Sequence, residues 1–318
     1  MPITLPIPPE LTTTFIVPIT KTPQANDRLL PWRMGRPFRR TAMRSFGTPR
    51  LTITHNKSPW RPKGINLTDE DRRALRRSRT HVIVSSTAPP SAQPTYAQMA
   101  RAAARAIAED CEGLVIDPIA GGSVFSCTGC DGERAQFRLG DDWLGWDVEV
   151  HNDATCPPWN PAETRTCTCL RVTSRGLRRF ALPEITLDGA ACAHNLCAIT
   201  LLRTVAQRLL TDHLAYLRSH PTARSRTISD HLHVQSADQA HFWGEPNTTQ
   251  SPPFTVHLTP YPPPPTPARP ITPTTRCTPT PTPTTPPTPT TPPTPTTPPT
   301  PTTPPTPTTP PTPTTPPT

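Results

Sequence analysis

Two cysteines flank a Thr-Gly pair at Cys127-Thr-Gly-Cys130, the sharpest local chemical motif in this chain. Thiolates three positions apart around a glycine suit one tetrahedral zinc, bonded at about 2.3 Å per sulfur, once a second pair completes the shell. Cys167-Thr-Cys169 supplies that pair, with Cys156 as a substitute, although one intervening residue is fewer than the usual two to four. If Cys167 and Cys169 lie on a strand, both sulfurs face the same side. Read as a thioredoxin-like redox pair, Cys127 and Cys130 should follow a strand and open a helix. The Asp131-Gly-Glu-Arg134 stretch that comes next starts a helix poorly. Ordinary thiols on a loop are the expectation, with zinc as the alternative.

Three other groupings carry chemical potential. Arg175, Arg178 and Arg179 surround Gly176, where a backbone N–H and guanidinium forks would cradle an anion. Asp117 ends an apolar run beside Gly121-Gly122-Ser123, a position where α/β sites gather. His231-Leu-His233 sets two imidazoles on one strand face with Asp230, Asp238 and His241 nearby; a solvated strand face is the expectation there. Neither phosphate-binding glycine pattern occurs, nor G-x-S-x-G, nor H-E-x-x-H.

The elements that would position these groups are legible in part. Thr68 is an N-cap with Asp71 in the capping-box position, opening a helix to about Arg77. His81 to Ser86 reads as a buried strand, Thr95 to Asp110 as an Ala-rich helix, and Leu114 to Ile116 as a second strand. These make a β-α-β unit. Trp143 to Val150 and Thr166 to Val172 alternate as two antiparallel strands, and a turn at Ser174 to Phe180 leads to a third at Glu184 to Leu187. Cys192 to Arg218 is a long amphipathic helix stopped by Pro221, and Thr227 to Val234 and Phe254 to Leu258 add strands. The fold class is α+β: a two-layer sheet-and-helix domain over 66–258, built as β-α-β followed by β-β-β-α.

At Thr173-Ser-Arg-Gly-Leu-Arg-Arg-Phe-Ala-Leu-Pro-Glu-Ile185 the chain resembles bacterial domains of unknown function that share a Gly-(Leu or Met)-Arg-Arg-Phe-x-Leu-Pro-Glu stretch. Val82 to Asp117, where strand, Ala-rich helix and strand lead into Asp-Pro, is similar to the same domains. The resemblance covers residues about 80 to 258 and implies a fold class, with no activity, cofactor or functional residue attached.

Outside that stretch the composition splits. Residues 1–80 hold 16 of the 32 Lys and Arg and 5 of the 23 Asp and Glu, a balance of +11, while the rest balances at −2. With no sustained period, residues 1–65 read as a mostly disordered basic arm, one that attracts nucleic acid through counterion release or merely keeps the chain dissolved. Met34 and Met43 are later candidate starts. From Pro281 the word Pro-Thr-Pro-Thr-Thr-Pro repeats six times, and 28 of the 51 prolines fall between Pro260 and Pro317. Residues 259–318 therefore read as a disordered, polyproline II-prone tail, whose partner would be an aromatic groove for Pro-rich segments.

No run of 18 or more apolar residues marks a membrane span, and residues 1–20 lack the order of a secretory signal, so a cytoplasmic location is expected. The nine cysteines then read as mostly reduced. Function is read as a non-enzymatic soluble binding or regulatory module. The alternatives are a zinc-bearing nucleic-acid-binding protein and an enzyme acting at Asp117 or the Cys127/Cys130 pair.

Overall fold

A computed structural model describes residues 2–21, 34–125, 132–150, 168–245 and 252–260. The chain divides into two units, Met1–Pro262 and Pro263–Thr318, the second lying outside the described residues. The first unit is α+β, as the sequence indicates.

Its N-terminal segment is the main departure. β1 (Ile3–Pro6) and β2 (Leu11–Ile19) are followed by α1 (Arg39–Ser45) and β3 (Thr52–Asn56). Over its described residues, then, 1–65 is not a disordered arm. α2 (Asp69–Arg77) starts at Thr68, whose hydroxyl accepts from the Asp71 N–H while the Asp71 carboxylate accepts from the Thr68 N–H, closing the capping box. Of the basic residues in 1–65, Arg39, Arg40 and Arg44 sit on α1, and Arg72, Arg73, Arg76 and Arg77, which belong to the wider basic stretch 1–80, sit on α2.

β4 (Thr80–Ala88), α3 (Thr95–Asp110) and β5 (Ile116–Asp117) form the expected β-α-β unit, with a gap inside it. β2 pairs antiparallel with β4 over its whole length and with β5 at Ile16↔Ile116, so it lies between two strands that run parallel to each other. With β6 (Gly122–Ser123), the sheet order is β3-β4-β2-β5-β6. Residues Leu11, Thr13, Phe15, Val17 and Ile19 of β2 are all buried, as are Ala88, Ser86, Val84 and Val82, the register partners of the first four; α3 packs on β2 and β4. On the opposite face, Thr12 and Thr14 exchange hydroxyl hydrogen bonds with Thr87 and Ser85 at 2.8 and 2.9 Å. Pro18 is tolerated in this central strand for a local reason. Its carbonyl accepts from Leu114 on the β5 side, so the N–H it lacks also belongs to that sparsely paired side, and the β4 ladder loses nothing.

The second sheet joins β7 (Gly145–Val150), β8 (Leu170–Arg175) and β9 (Thr186–Ala190), antiparallel in that order. α4 (Asn195–Ser219) packs on β8 and β9. Val148 and Val150 pair with the buried Val172 and Leu170 yet stay exposed, because β7 is the edge strand beyond the helix. The single strand expected at Thr227 to Val234 is two, β10 (Ser225–Ile228) and β11 (His231–Val234), separated by Ser229-Asp230. β10 pairs with β1, and β11, after the short α5 (Ser236–Trp243), pairs with β12 (Phe254–His257). One core runs through all of this, from Phe15, Val82 and Met99 through Trp143 and Phe180 to Val205, Leu209 and Phe242.

A chain starting at Asn66 would lack β2, leaving β4 and β5 with no strand between them and α3 over half a sheet. We expect such a truncation to be unfolded by circular dichroism and proteolysis, whereas an independently folded 66–258 domain would retain a cooperative thermal transition.

Candidate functional site

Asp117 ends β5 in the first sheet, and Arg179 lies in the 3-10 turn Leu177–Phe180 that follows β8 in the second. The two meet as a fully buried ion pair, with Nη2 of Arg179 donating to Oδ2 of Asp117 at 2.5 Å. The other carboxylate oxygen accepts from the backbone N–H groups of Ile119 and Ala120, so Asp117 has no free edge to offer a substrate. Burial pushes the Arg179 guanidinium below its ordinary pKa, and the charge and hydrogen bond of Asp117 oppose that shift. The Arg179 guanidinium also lies 5.2 Å from the ring of Trp143, the largest fully buried side chain. Arg101 of α3 lies 3.5 Å from the same ring and is held by a bidentate pair to buried Glu133, at 2.8 and 2.7 Å. Phe15, Phe137 and Phe180 complete this aromatic centre.

The three arginines that could have formed an anion cradle, the alternative to a plain polar turn between strands, do not converge. Arg179 is spent on Asp117, Arg175 donates to Asp147 and to the carbonyls of Gly64 and Pro118, and Arg178 is exposed. An anion cradle is nonetheless present, and it is filled from within. The backbone N–H groups of Gly176, Leu177 and Arg178 donate to the Glu184 carboxylate at 2.8, 3.3 and 3.3 Å, and the Ser174 hydroxyl adds a fourth bond at 2.7 Å. Gly176 has φ +129°, and an added Cβ would fall 2.3 Å from the Trp143 carbonyl oxygen, so the cradle needs glycine at that position.

The other sequence candidates separate similarly. Cys127, Cys130, Cys156 and Cys167 lie outside the described residues, while Cys169 is buried against Ala191 ahead of β8. Asp238 accepts from the Gln235 N–H at 2.8 Å and caps α5, and His241 is exposed on the same helix. His233 shares a hydrogen bond with the Thr255 hydroxyl. Asp230 and His231 do come together, and with His257, a residue the sequence reading left out.

Sequence reasoning also missed a cavity. Between α4, β9 and the β1–β10 and β11–β12 ribbons lies a space of about 440 Å³. Its wall includes Leu5, Leu182, Ile185, Leu201, Val205 and Val256, with Glu184 and Thr186 among its few polar members. The one sequence signal for it is the apolar stripe of α4, whose Leu201, Leu202, Val205 and Leu209 line this space. Among the described residues no helix is long and apolar enough to cross a membrane. Comparison with protein-family models, curated proteins and solved structures found no match for this chain.

His213 of α4 is fully buried, and burial, then the Arg226 charge, push its imidazole down to about 4, against an opposing influence of the nearby Phe180 backbone. The unfolded chain takes up this proton near 6.5 and the folded chain only near 4, so stability falls as the pH drops between those values. His213→Leu should remove about 2 kcal/mol of the stability difference between pH 8 and pH 5, read from urea midpoints. A variant with an unchanged pH dependence would mean that His213 is not held neutral. Arg179→Met, which strands the Asp117 charge, should cost about 3–5 kcal/mol, and adding Asp117→Asn should recover a large part of that loss. Additive losses in the double variant would show the two groups to be uncoupled.

Proposed function

We propose that this chain is a non-enzymatic binding module whose ligand is a small, largely apolar molecule seated in the cavity beneath α4. The cavity carries the reading. About 440 Å³ lies within the range of small-molecule sites, and an aliphatic wall with a few polar members is the composition that buries a hydrocarbon body. Water held there finds few hydrogen-bond partners, so displacing it favours an apolar guest. The carboxylates closest to the earlier site candidates support binding over catalysis, because Asp117 is locked to Arg179 and Glu184 to the backbone cradle.

The test uses the full chain. Native mass spectrometry should show a co-purified apolar ligand or one-to-one uptake of an added alkyl-chain probe. Leu201→Trp, which projects an indole from a half-buried wall position, should abolish uptake while leaving the far-ultraviolet circular dichroism intact. Equal uptake by the variant, or no uptake by the wild type, would sink the reading.

A further inference from the structure

Strand register in the β11–β12 pair sets His231 directly opposite His257. Cβ atoms so opposed lie about 4.5–5.5 Å apart, close enough for two imidazoles to share one ion. The ring centroids here are 4.9 Å apart. Asp230, the residue before β11, meets both rings with its two oxygens: Oδ1 lies 3.0 Å from Nδ1 of His231, and Oδ2 lies 3.3 Å from Nε2 of His257. One ligand atom from each residue falls within 4.8 Å of the other two. Tetrahedral zinc with nitrogen and oxygen ligands at about 2.0–2.1 Å holds neighbouring donors about 3.3 Å apart, so a modest inward turn of the side chains brings these three donors onto one ion.

We propose that Asp230, His231 and His257 bind a zinc-class divalent cation as its three protein ligands. The strand pair fixes the backbone that carries the ligands: the Leu258 N–H donates to the Asp230 carbonyl at 2.6 Å, and the His231 N–H donates to the Ser229 hydroxyl at 3.0 Å. The carboxylate is 15% exposed and the two imidazoles 60% and 56%, so the anion anchors the site and the rings meet the incoming ion. Two imidazoles and one carboxylate favour zinc over calcium or magnesium, which require mostly oxygen ligands. Three protein ligands leave a place for water or an exchangeable group, unlike the closed shell of four cysteines. His257 also lines the apolar cavity, but the cation site stands whether or not that cavity takes a ligand.

The experiment titrates the full chain, free of any histidine tag and stripped by chelation, with Co²⁺ as a spectroscopic substitute for Zn²⁺. One equivalent should bind with d–d absorption and no thiolate charge-transfer band, and Zn²⁺ should displace it. Affinity should weaken by roughly tenfold or more in His257→Gln and in Asp230→Asn. Cys127→Ser with Cys130→Ser should leave binding as in the wild type. Because both imidazoles are largely exposed, the thermal midpoint of the metal-free His257→Gln variant should match that of the metal-free wild type. Binding that survives His257→Gln, binding only with a thiolate band, or no binding at all would each overturn the proposal.

Discussion

The Asp117–Arg179 ion pair fixes how the two sheets of this protein meet. One partner ends a strand of the five-stranded sheet, and the other sits in the turn beyond the middle strand of the three-stranded sheet. A buried pair of this kind contributes little net stability, since apolar residues of the same volume would serve as well or better. What it supplies is direction. Arg179 sits in the turn that Gly176 opens with its positive φ, and the same turn aligns the three N–H groups that enclose Glu184. The two stretches singled out in the sequence, Asp117-Pro118 and Gly176 to Glu184, are thus one structural device, and the strongest anion attractor in it is satisfied by the chain's own carboxylate.

With that joint in place, the remaining strands are peripheral to it. β1–β10 and β11–β12 are two-stranded ribbons, a form with little stability of its own, and they depend on packing against the rest of the fold, including α4. A continuous sheet would have closed over the apolar stripe of the helix. Two separate ribbons leave a gap between them, and this gap is the cavity. The same separation places Asp230 in the short link between β10 and β11, where its carboxylate turns back onto His231 and His257.

The legible parts of this fold were those encoded locally. α3 matches its expected bounds because an alanine-rich amphipathic stretch specifies a helix by itself, and α2 because Thr68 and Asp71 cap it reciprocally. β2 was illegible despite Thr-Thr-Phe-Ile-Val, since Pro18 and the prolines before it argue against a central strand, and only the one-sided hydrogen bonding of Pro18 resolves the conflict. Gly176 was recognised as an anion cradle, but its occupant stands eight residues downstream and becomes visible only when the chain folds back. The Asp230–His231–His257 trio shows the same limit: Asp230 and His231 are adjacent, whereas His257 joins them through strand register, which no local pattern encodes.

β1 pairs with β10, so residues 3–6 wait for residues 225–228, a separation of about 220 positions. At roughly 5–20 residues per second, translation leaves the first strand without its partner for on the order of 10–45 s. β2 waits for β4 over a shorter interval, carrying five alternating inward-facing positions that no other element yet covers. β1 is therefore among the last strands to find its partner, ahead only of the β11–β12 pair. During synthesis, the Thr-Thr-Phe-Ile-Val segment is an open edge of the kind that holding chaperones bind and that neighbouring nascent chains can extend.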